Sequence, residues 1–348
     1  MNPLVMIILT LSLFTGTLMT FTMTNWLMIW MGLEINTMAI IPMMIHKQHP
    51  RATEATTKYF ITQATASAML LFAGTMNAWL TGQWELTQMT NQMLMTLVTF
   101  AIALKMGLAP MHFWLPEVLQ GINYKTGLIL LTWQKLAPLA IMIQIYPMIN
   151  PNLLTSIGTI SILVGGWGGL NQTQLRKLMA YSSIAHMGWM MVILHYMHNL
   201  MILNLIMYLI MTTSLLLMLM NINATKINSM SMMIFKKPLM IMILLTSLMS
   251  LGGLPPLSGF MPKWLILQEM INQNMTPTAT IMALAALLSL FFYLRLAYVV
   301  SLTLSPNLTT ITSTWKTPAS QSNTLLTTST TMSMLLLPIT PTILMMTT

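Results

Sequence analysis

The chain has 348 residues, 56% of them hydrophobic and 5% charged, with a mean hydropathy of +0.75. Soluble domains carry about 25% charged residues, so the composition excludes one and predicts an all-α polytopic membrane protein. The net charge of +9 comes from basic residues scattered among apolar runs, not gathered in a stripe, which argues against nucleic acid, and the absence of cysteine excludes disulfides, iron–sulfur ligation and thiol catalysis.

About 20 apolar helical residues cross a bilayer core. The first span is predicted at 3–23 and the second at 26–45, with Glu34 in its middle. Loop 46–58 sets Lys47, Arg51 and Lys58 against Glu54, which by the positive-inside rule places it, and the N-terminus, on the side of synthesis. Span three, 59–81, leads to an outer loop carrying Glu85, and span four, 93–118, holds Lys105 and His112. An inner loop with Lys125 precedes span five, 127–146, which contains Trp133-Gln134-Lys135-Leu136-Ala137-Pro138. Span six, 153–170, ends in an inner loop with Arg176 and Lys177; span seven, 178–194, carries Tyr181-Ser182-Ser183-Ile184-Ala185-His186. Span eight, 200–221, is followed by an inner loop with Lys226, Lys236 and Lys237, then span nine, 239–270, span ten, 277–300, and, after a polar loop with Lys316, span eleven, 324–346. With Arg295 at an inner end, this threading puts eleven of the 14 basic residues on inner loops or inner ends and leaves Lys105, Lys135 and Lys263 within the membrane.

Spans four and nine cannot be continuous helices. Gly107-Leu108-Ala109-Pro110-Met111-His112-Phe113-Trp114-Leu115-Pro116-Glu117 recurs 146 positions later as Gly253-Leu254-Pro255-Pro256-Leu257-Ser258-Gly259-Phe260-Met261-Pro262-Lys263, with Gly, Leu, Pro and Pro in register. Proline removes a backbone donor and clashes with the preceding turn, and freed backbone groups survive at membrane depth only inside protein or beside a water-filled cavity. Paired interrupted spans point to a transporter built from repeats, with its pathway at the breaks. The expected organisation is two inverted five-helix repeats, 1–150 with its broken helix at 93–118 and 151–301 with its broken helix at 239–270. A loop and C-terminal helix, 302–348, follow.

Four charges then need partners or work: Glu34, Lys105, Lys135 and Lys263. A charge at the bilayer centre costs about 2.5 to 3.5 kcal/mol on insertion scales. An amine withdrawn from water gives up its proton more readily, and a nearby carboxylate opposes that. A Glu34–Lys105 pair whose separation changed could therefore load and unload a proton, with Lys135 and Lys263 continuing the path toward the second repeat. The competing reading is that these charges neutralise one another and lock helix packing. His112, beside the first break, is a candidate relay or a group satisfying freed carbonyls; His186, after Ser182 and Ser183, is a candidate relay or a satisfied core histidine. Glu117 reads as a boundary charge at the inner end, and Glu269 as an interfacial one at the outer end. His195 and His198 lack a carboxylate or thiol companion for a metal. Gly165-Gly166-Trp167-Gly168-Gly169 fits close helix packing better than a phosphate loop.

Composition adds a location. The chain has no aspartate and 42 methionines, more than gap-filling requires, which is the codon habit of an animal mitochondrial genome. No Arg-rich presequence precedes the first apolar run, so insertion is expected in the compartment of synthesis, with the N-terminus on the matrix side and the C-terminus on the intermembrane-space side.

Trp30-Met31-Gly32-Leu33-Glu34, Lys105-Met106-Gly107 with Pro110, His112 and Pro116, Lys135, Arg176-Lys177-Leu178-Met179-Ala180-Tyr181-Ser182-Ser183-Ile184-Ala185-His186-Met187-Gly188 and the stretch 252–263 together resemble the antiporter-like membrane subunits of respiratory complex I. The resemblance covers almost the whole chain. It implies a proton channel without redox cofactors, matching the family's membrane glutamate to Glu34 and its functional lysines to Lys105, Lys135 and Lys263. NADH, FMN, iron–sulfur clusters and ubiquinone would be handled by other subunits. The implied partners are neighbouring antiporter-like, small membrane and accessory subunits, and lipids. Bacterial relatives carry additional N-terminal helices, whose place accessory subunits could take here. A cation/proton antiporter subunit of the multisubunit type shares these motifs, and a membrane scaffold keeping the charges only for packing is the non-transport alternative.

Overall fold

The computed structural model describes residues 2–45, 49–89, 91–233, 237–302 and 324–347; Lys47, Lys236 and Lys316 lie outside these segments. The regular structure of the described residues is helical, with two isolated bridges and no strand among them. They form two compact units, 1–161 and 162–348.

In the first unit, α1 (Pro3–Thr22) starts on Asn2, whose side chain accepts from the Leu4 amide, and α2 (Trp26–Met44) starts the same way on Asn25. These caps satisfy amides that a helix start leaves without partners. The helices meet at Gly16 and Gly32, where a Cβ on either would lie 2.9 Å from the other's carbonyl oxygen. The opposite side of α1 leaves Leu4, Ile8, Leu11 and Phe14 exposed. Helix α3 (Pro50–Thr81) follows, then α4 (Gln92–Met106) and α5 (Trp114–Gly121) on either side of the first break. At the break Gly107 takes φ +76°, in the left-handed region that favours glycine, and amides 107 and 108 return to the carbonyls of Leu104 and Ala103. The indole of Trp114 donates to the Leu104 carbonyl at 3.1 Å, pinning α5 against the end of α4. Helices α6 (Tyr124–Leu131) and α7 (Trp133–Ile145) meet at a kink at Thr132.

Helix α8 (Pro151–Gly169) carries the chain into the second unit, which continues with α9 (Leu175–Leu194), α10 (His198–Ile222) and α11 (Ile227–Met233). The second break separates α12 (Pro238–Gly252) from α13 (Phe260–Asn272), and Gly253 there adopts φ +84°. The two breaks thus share one device at equivalent positions. Helix α14 (Thr276–Leu302) and the bent pair α15 (Thr324–Leu335) and α16 (Thr340–Thr347) complete the unit.

The chain is an all-helical membrane protein. Among the described residues five helices are long and apolar enough by themselves to cross a bilayer, and six if the pair bent by 66° counts as one span. Breaks and polar residues hold the other apolar segments below that standard. The stretches 92–121 and 238–272 are each divided into two shorter helices, and α3 carries Arg51, Glu54 and Lys58 in its first turns.

Candidate functional site

Each unit contains a small buried polar space beside its broken helix. In the first, Lys105 comes from the last turn of α4 and Lys135 from the first turn of α7, and both are withdrawn from solvent, with 6% and 3% of their surface exposed. They line one cavity together with Asn36 and Thr37 of α2, Tyr59 and Gln63 of α3, and Gln134 of α7. Its space for a water's centre is about 20 Å³, and roughly 10 to 15 Å³ suffices for one molecule. No carboxylate lines it. The Lys105 ammonium has no hydrogen-bond partner among the described residues, nor do either of the Asn36 amide's polar atoms, although Asn36 is only 2% exposed. Buried polar groups are nearly always satisfied, and the cavity beside Lys105 has room for one small polar molecule.

The break explains why Lys105 lies where it does. Gly107 ends α4 two residues later, and a cation in the last turn of a helix meets the negative end of the backbone dipole. Pro138 in α7 cannot donate to the Gln134 carbonyl one turn earlier.

Glu34 is not in that cavity. It faces an open groove between α1 and α2, lined by Leu9, Ser12, Trp30, Met31, Ile35 and Met38. Glu34 and Lys105 interact electrostatically, yet the ion pairs among the described residues both belong to Lys58, with Glu54 and with Glu117. Thr37 connects the two sides. Its hydroxyl lies 2.8 Å from the Glu34 carbonyl and 3.1 Å from the carboxylate Oε2, and Thr37 also lines the lysine cavity.

In the second unit Lys263 of α13 and His186 of α9 line one space with Ser182, Trp189, Ser289 and Tyr293. Lys263, 8% exposed, donates to the carbonyls of Leu251 at 3.1 Å and Gly252 at 2.9 Å, satisfying acceptors that the end of α12 leaves open. It therefore differs from Lys105, because its ammonium is bonded to the break itself. Ser182 and Ser183 donate to the carbonyls of Met179 and Ala180 in their own helix. The buried ring of His186 packs beside Tyr208, centroids 5.4 Å apart. His112 is buried at the first break, its Nδ1 3.2 Å from the Pro110 carbonyl and its ring tilted 33° to that of Phe113. His112 does not line the Lys105 cavity.

Where α5 meets the start of α3, Lys58 holds Glu54 and Glu117 at 2.7 Å each, tying α5 to α3. The hydrogen bond and charge of Lys58 hold the Glu54 carboxyl below its ordinary range, and the bond to Glu117, with that to Glu54, raises the Lys58 ammonium. Glu269 accepts from Gln273 on an exposed turn. No group of three His, Cys, Asp or Glu side chains able to hold a metal occurs among the described residues.

A family model for the NADH:quinone oxidoreductase/Mrp antiporter transmembrane region matches residues 23–289, and one for the NADH dehydrogenase subunit 2 C-terminus matches residues 290–344. The chain belongs to this family. Among its relatives, NADH-ubiquinone oxidoreductase chain 2 of Squalus acanthias is 62% identical over 347 residues, covering 100% of both chains, and that of Danio rerio is 56% identical over 348, again covering 100% of both. The fold of the NADH:quinone oxidoreductase/Mrp antiporter family is also seen in two solved structures. A chain of respiratory complex I from Thermus thermophilus with bound aureothin superposes with a TM-score of 0.83 at 23% identity, over 100% of this chain and 78% of its own. A chain of the Mrp complex from Dietzia sp. DQ12-45-1b gives 0.78 at 17% identity, over 86% and 61%.

Charge alone leads to the lysines but not to their surroundings. Asn36, Gln63, Gln134 and Tyr59 around Lys105, and Tyr208 and Tyr293 near His186, are uncharged polar or amphipathic residues. The signal that would have found them is an amide or phenol inside an apolar span at a register facing a membrane lysine.

Proposed function

We propose that this chain is a proton-translocating membrane-arm subunit of an NADH:ubiquinone oxidoreductase of the mitochondrial inner membrane. The observation that carries the reading is the placement of Lys105 and Lys135 on one enclosed polar cavity beside a broken helix, with the Lys105 ammonium free of a hydrogen-bond partner. Lys263 at the second break, by contrast, donates to two backbone carbonyls. An unpaired ammonium has a proton to exchange.

In this reading Glu34 biases the charge of Lys105 through space, and Lys135 receives the proton across the shared cavity. Lys263 and His186 do the corresponding work in the second unit, and His112 relays at the first break. Redox chemistry, with NADH, FMN, iron–sulfur clusters and ubiquinone, belongs to other subunits, and this chain supplies the proton path. The topology we propose is eleven spans, with inverted five-helix repeats at 1–150 and 151–301 and a terminal segment at 302–348. Matched left-handed glycines at 107 and 253 support it. The N-terminus would face the matrix and the C-terminus the intermembrane space. Partners are other membrane-arm subunits, including antiporter-like, small membrane and accessory subunits, and lipids; the exposed apolar side of α1 gives them a surface to cover.

Native isolation of the particle containing this chain in mild detergent tests the assignment. NADH:ubiquinone reductase activity that travels with the chain and is blocked by a quinone-site inhibitor supports it. A particle inactive with NADH that exchanges sodium for protons after reconstitution assigns the chain to a multisubunit cation/proton antiporter instead.

A further inference from the structure

The groove holding Glu34 and the cavity holding Lys105 and Lys135 share no lining residue. A proton moving between them must cross the wall made by α2. That wall is apolar at Leu33, while Asn36 and Thr37 line the cavity side. Of these polar residues, Thr37 also bonds to Glu34: its Oγ1 lies 3.1 Å from Oε2 and 2.8 Å from the Glu34 carbonyl oxygen. One hydroxyl hydrogen has two acceptors there, so it can point to the ionised carboxylate or, when the carboxyl carries its own proton, turn to the backbone and accept from the acid.

We infer that Thr37 is the proton relay between the Glu34 groove and the Lys105–Lys135 cavity. In the step, the Glu34 carboxyl gives its proton to Thr37 Oγ1 while the hydrogen of that hydroxyl passes to an acceptor on the cavity side, a water or the neutral amine of Lys105. One O–H bond breaks at Glu34, one forms and one breaks at Thr37, and one forms at the acceptor. The net result is one proton moved and a hydroxyl that resets by rotation about its C–O bond. The groups facing this acceptor are Tyr59 and Gln63 from α3, Lys105 from α4, Gln134 and Lys135 from α7, and Asn36 from α2 itself. None is a carboxylate, so Glu34 reaches the cavity through Thr37.

This inference rests on the proposal that Lys105 exchanges protons, and the test separates the two. The intact complex carrying Thr37→Val, which keeps the branched shape and removes the hydroxyl, is compared with Thr37→Ser, Lys105→Ala and wild type in proteoliposomes. The readout is protons translocated per NADH oxidised, with assembly checked on native gels. The expected result is Thr37→Val reduced to the level of Lys105→Ala and Thr37→Ser at the wild-type level. Thr37→Val at the wild-type level with Lys105→Ala reduced overturns the Thr37 assignment alone. Equal reduction in Val and Ser variants overturns it in favour of packing. A wild-type ratio in Lys105→Ala overturns the underlying proposal, and the relay with it. If Thr37→Val fails to assemble, Thr37→Ala against Thr37→Ser makes the same comparison.

Discussion

Replacing Lys263 by methionine should loosen its break, and replacing Lys105 by methionine should not. Methionine keeps the length and apolar stem and removes the ammonium. Lys263 makes two hydrogen bonds to the carbonyls of Leu251 and Gly252, and hydrogen bonds to charged groups are each worth about 1.5 to 3 kcal/mol. Losing both leaves two buried acceptors at the end of α12, offset in part because an ammonium no longer has to be held away from water. A net loss of about 2 kcal/mol is expected at the break, roughly a thirtyfold rise in local opening at 1.4 kcal/mol per tenfold. Lys105 makes no such bonds, so Lys105→Met should leave its break as stable as before or more so. Amide hydrogen exchange followed by mass spectrometry on the intact complex reads this locally, in peptides covering 249–260 and 103–114, because exchange in core segments tracks opening free energy. Accelerated exchange in Lys263→Met and unchanged exchange in Lys105→Met is the predicted pair. Equal acceleration in both, or none in Lys263→Met, refutes the division of labour between them.

Three further outcomes follow from the same geometry. Gly253→Ala and Gly107→Ala should each loosen their break by at least about 1 to 2 kcal/mol, the left-handed penalty for a residue with a Cβ, because the new methyl would sit 3.1 Å from the Lys263 ammonium at one and 2.8 Å from the Leu115 side chain at the other; the 249–260 and 103–114 exchange readouts check them. The Lys58 cluster should be insensitive to pH near neutrality. Its Glu54 contribution is present above the ordinary glutamate value of about 4.3 and is lost only as pH falls through the lowered folded value, while its Lys58 contribution is present below about 10.4 and is lost only as pH rises through the raised one. The difference in thermal midpoint between wild type and Lys58→Met should therefore stay constant from about pH 6 to about pH 9, and a trend inside that window contradicts the pairing. Asn36→Leu should loosen the α1–α2 contact, because the amide packs against Gly16 where the two helices approach closely; faster amide exchange in peptides covering 12–20 is the check.

Sequence reasoning reaches the two breaks because their cause is local: glycine followed by closely spaced prolines cannot continue a helix, and Gly107 and Gly253 take the same left-handed conformation. It reaches the membrane lysines because charge is rare in this composition. It does not reach the partners of Lys263, which are backbone carbonyls 11 and 12 residues earlier, joined to it by the turn itself. The kink at Thr132 has no glycine or proline to announce it; Thr132 returns its hydroxyl to the Leu128 carbonyl at 2.7 Å. Glu34 and Lys105 can be placed on neighbouring helices from sequence. That they face different spaces, joined by Thr37, depends on how α2 is rotated about its axis, and the low contrast between the faces of an almost wholly apolar helix conceals that rotation.

The central claim is that the buried lysines move protons and do not merely lock helices together. The most direct test is Lys135→Ala in the assembled complex, reconstituted into proteoliposomes and assayed for NADH oxidation and proton translocation together. The account predicts normal assembly and a reduced number of protons per NADH. A complex that assembles and pumps at the wild-type ratio without the Lys135 ammonium would contradict it and leave these charges a packing role.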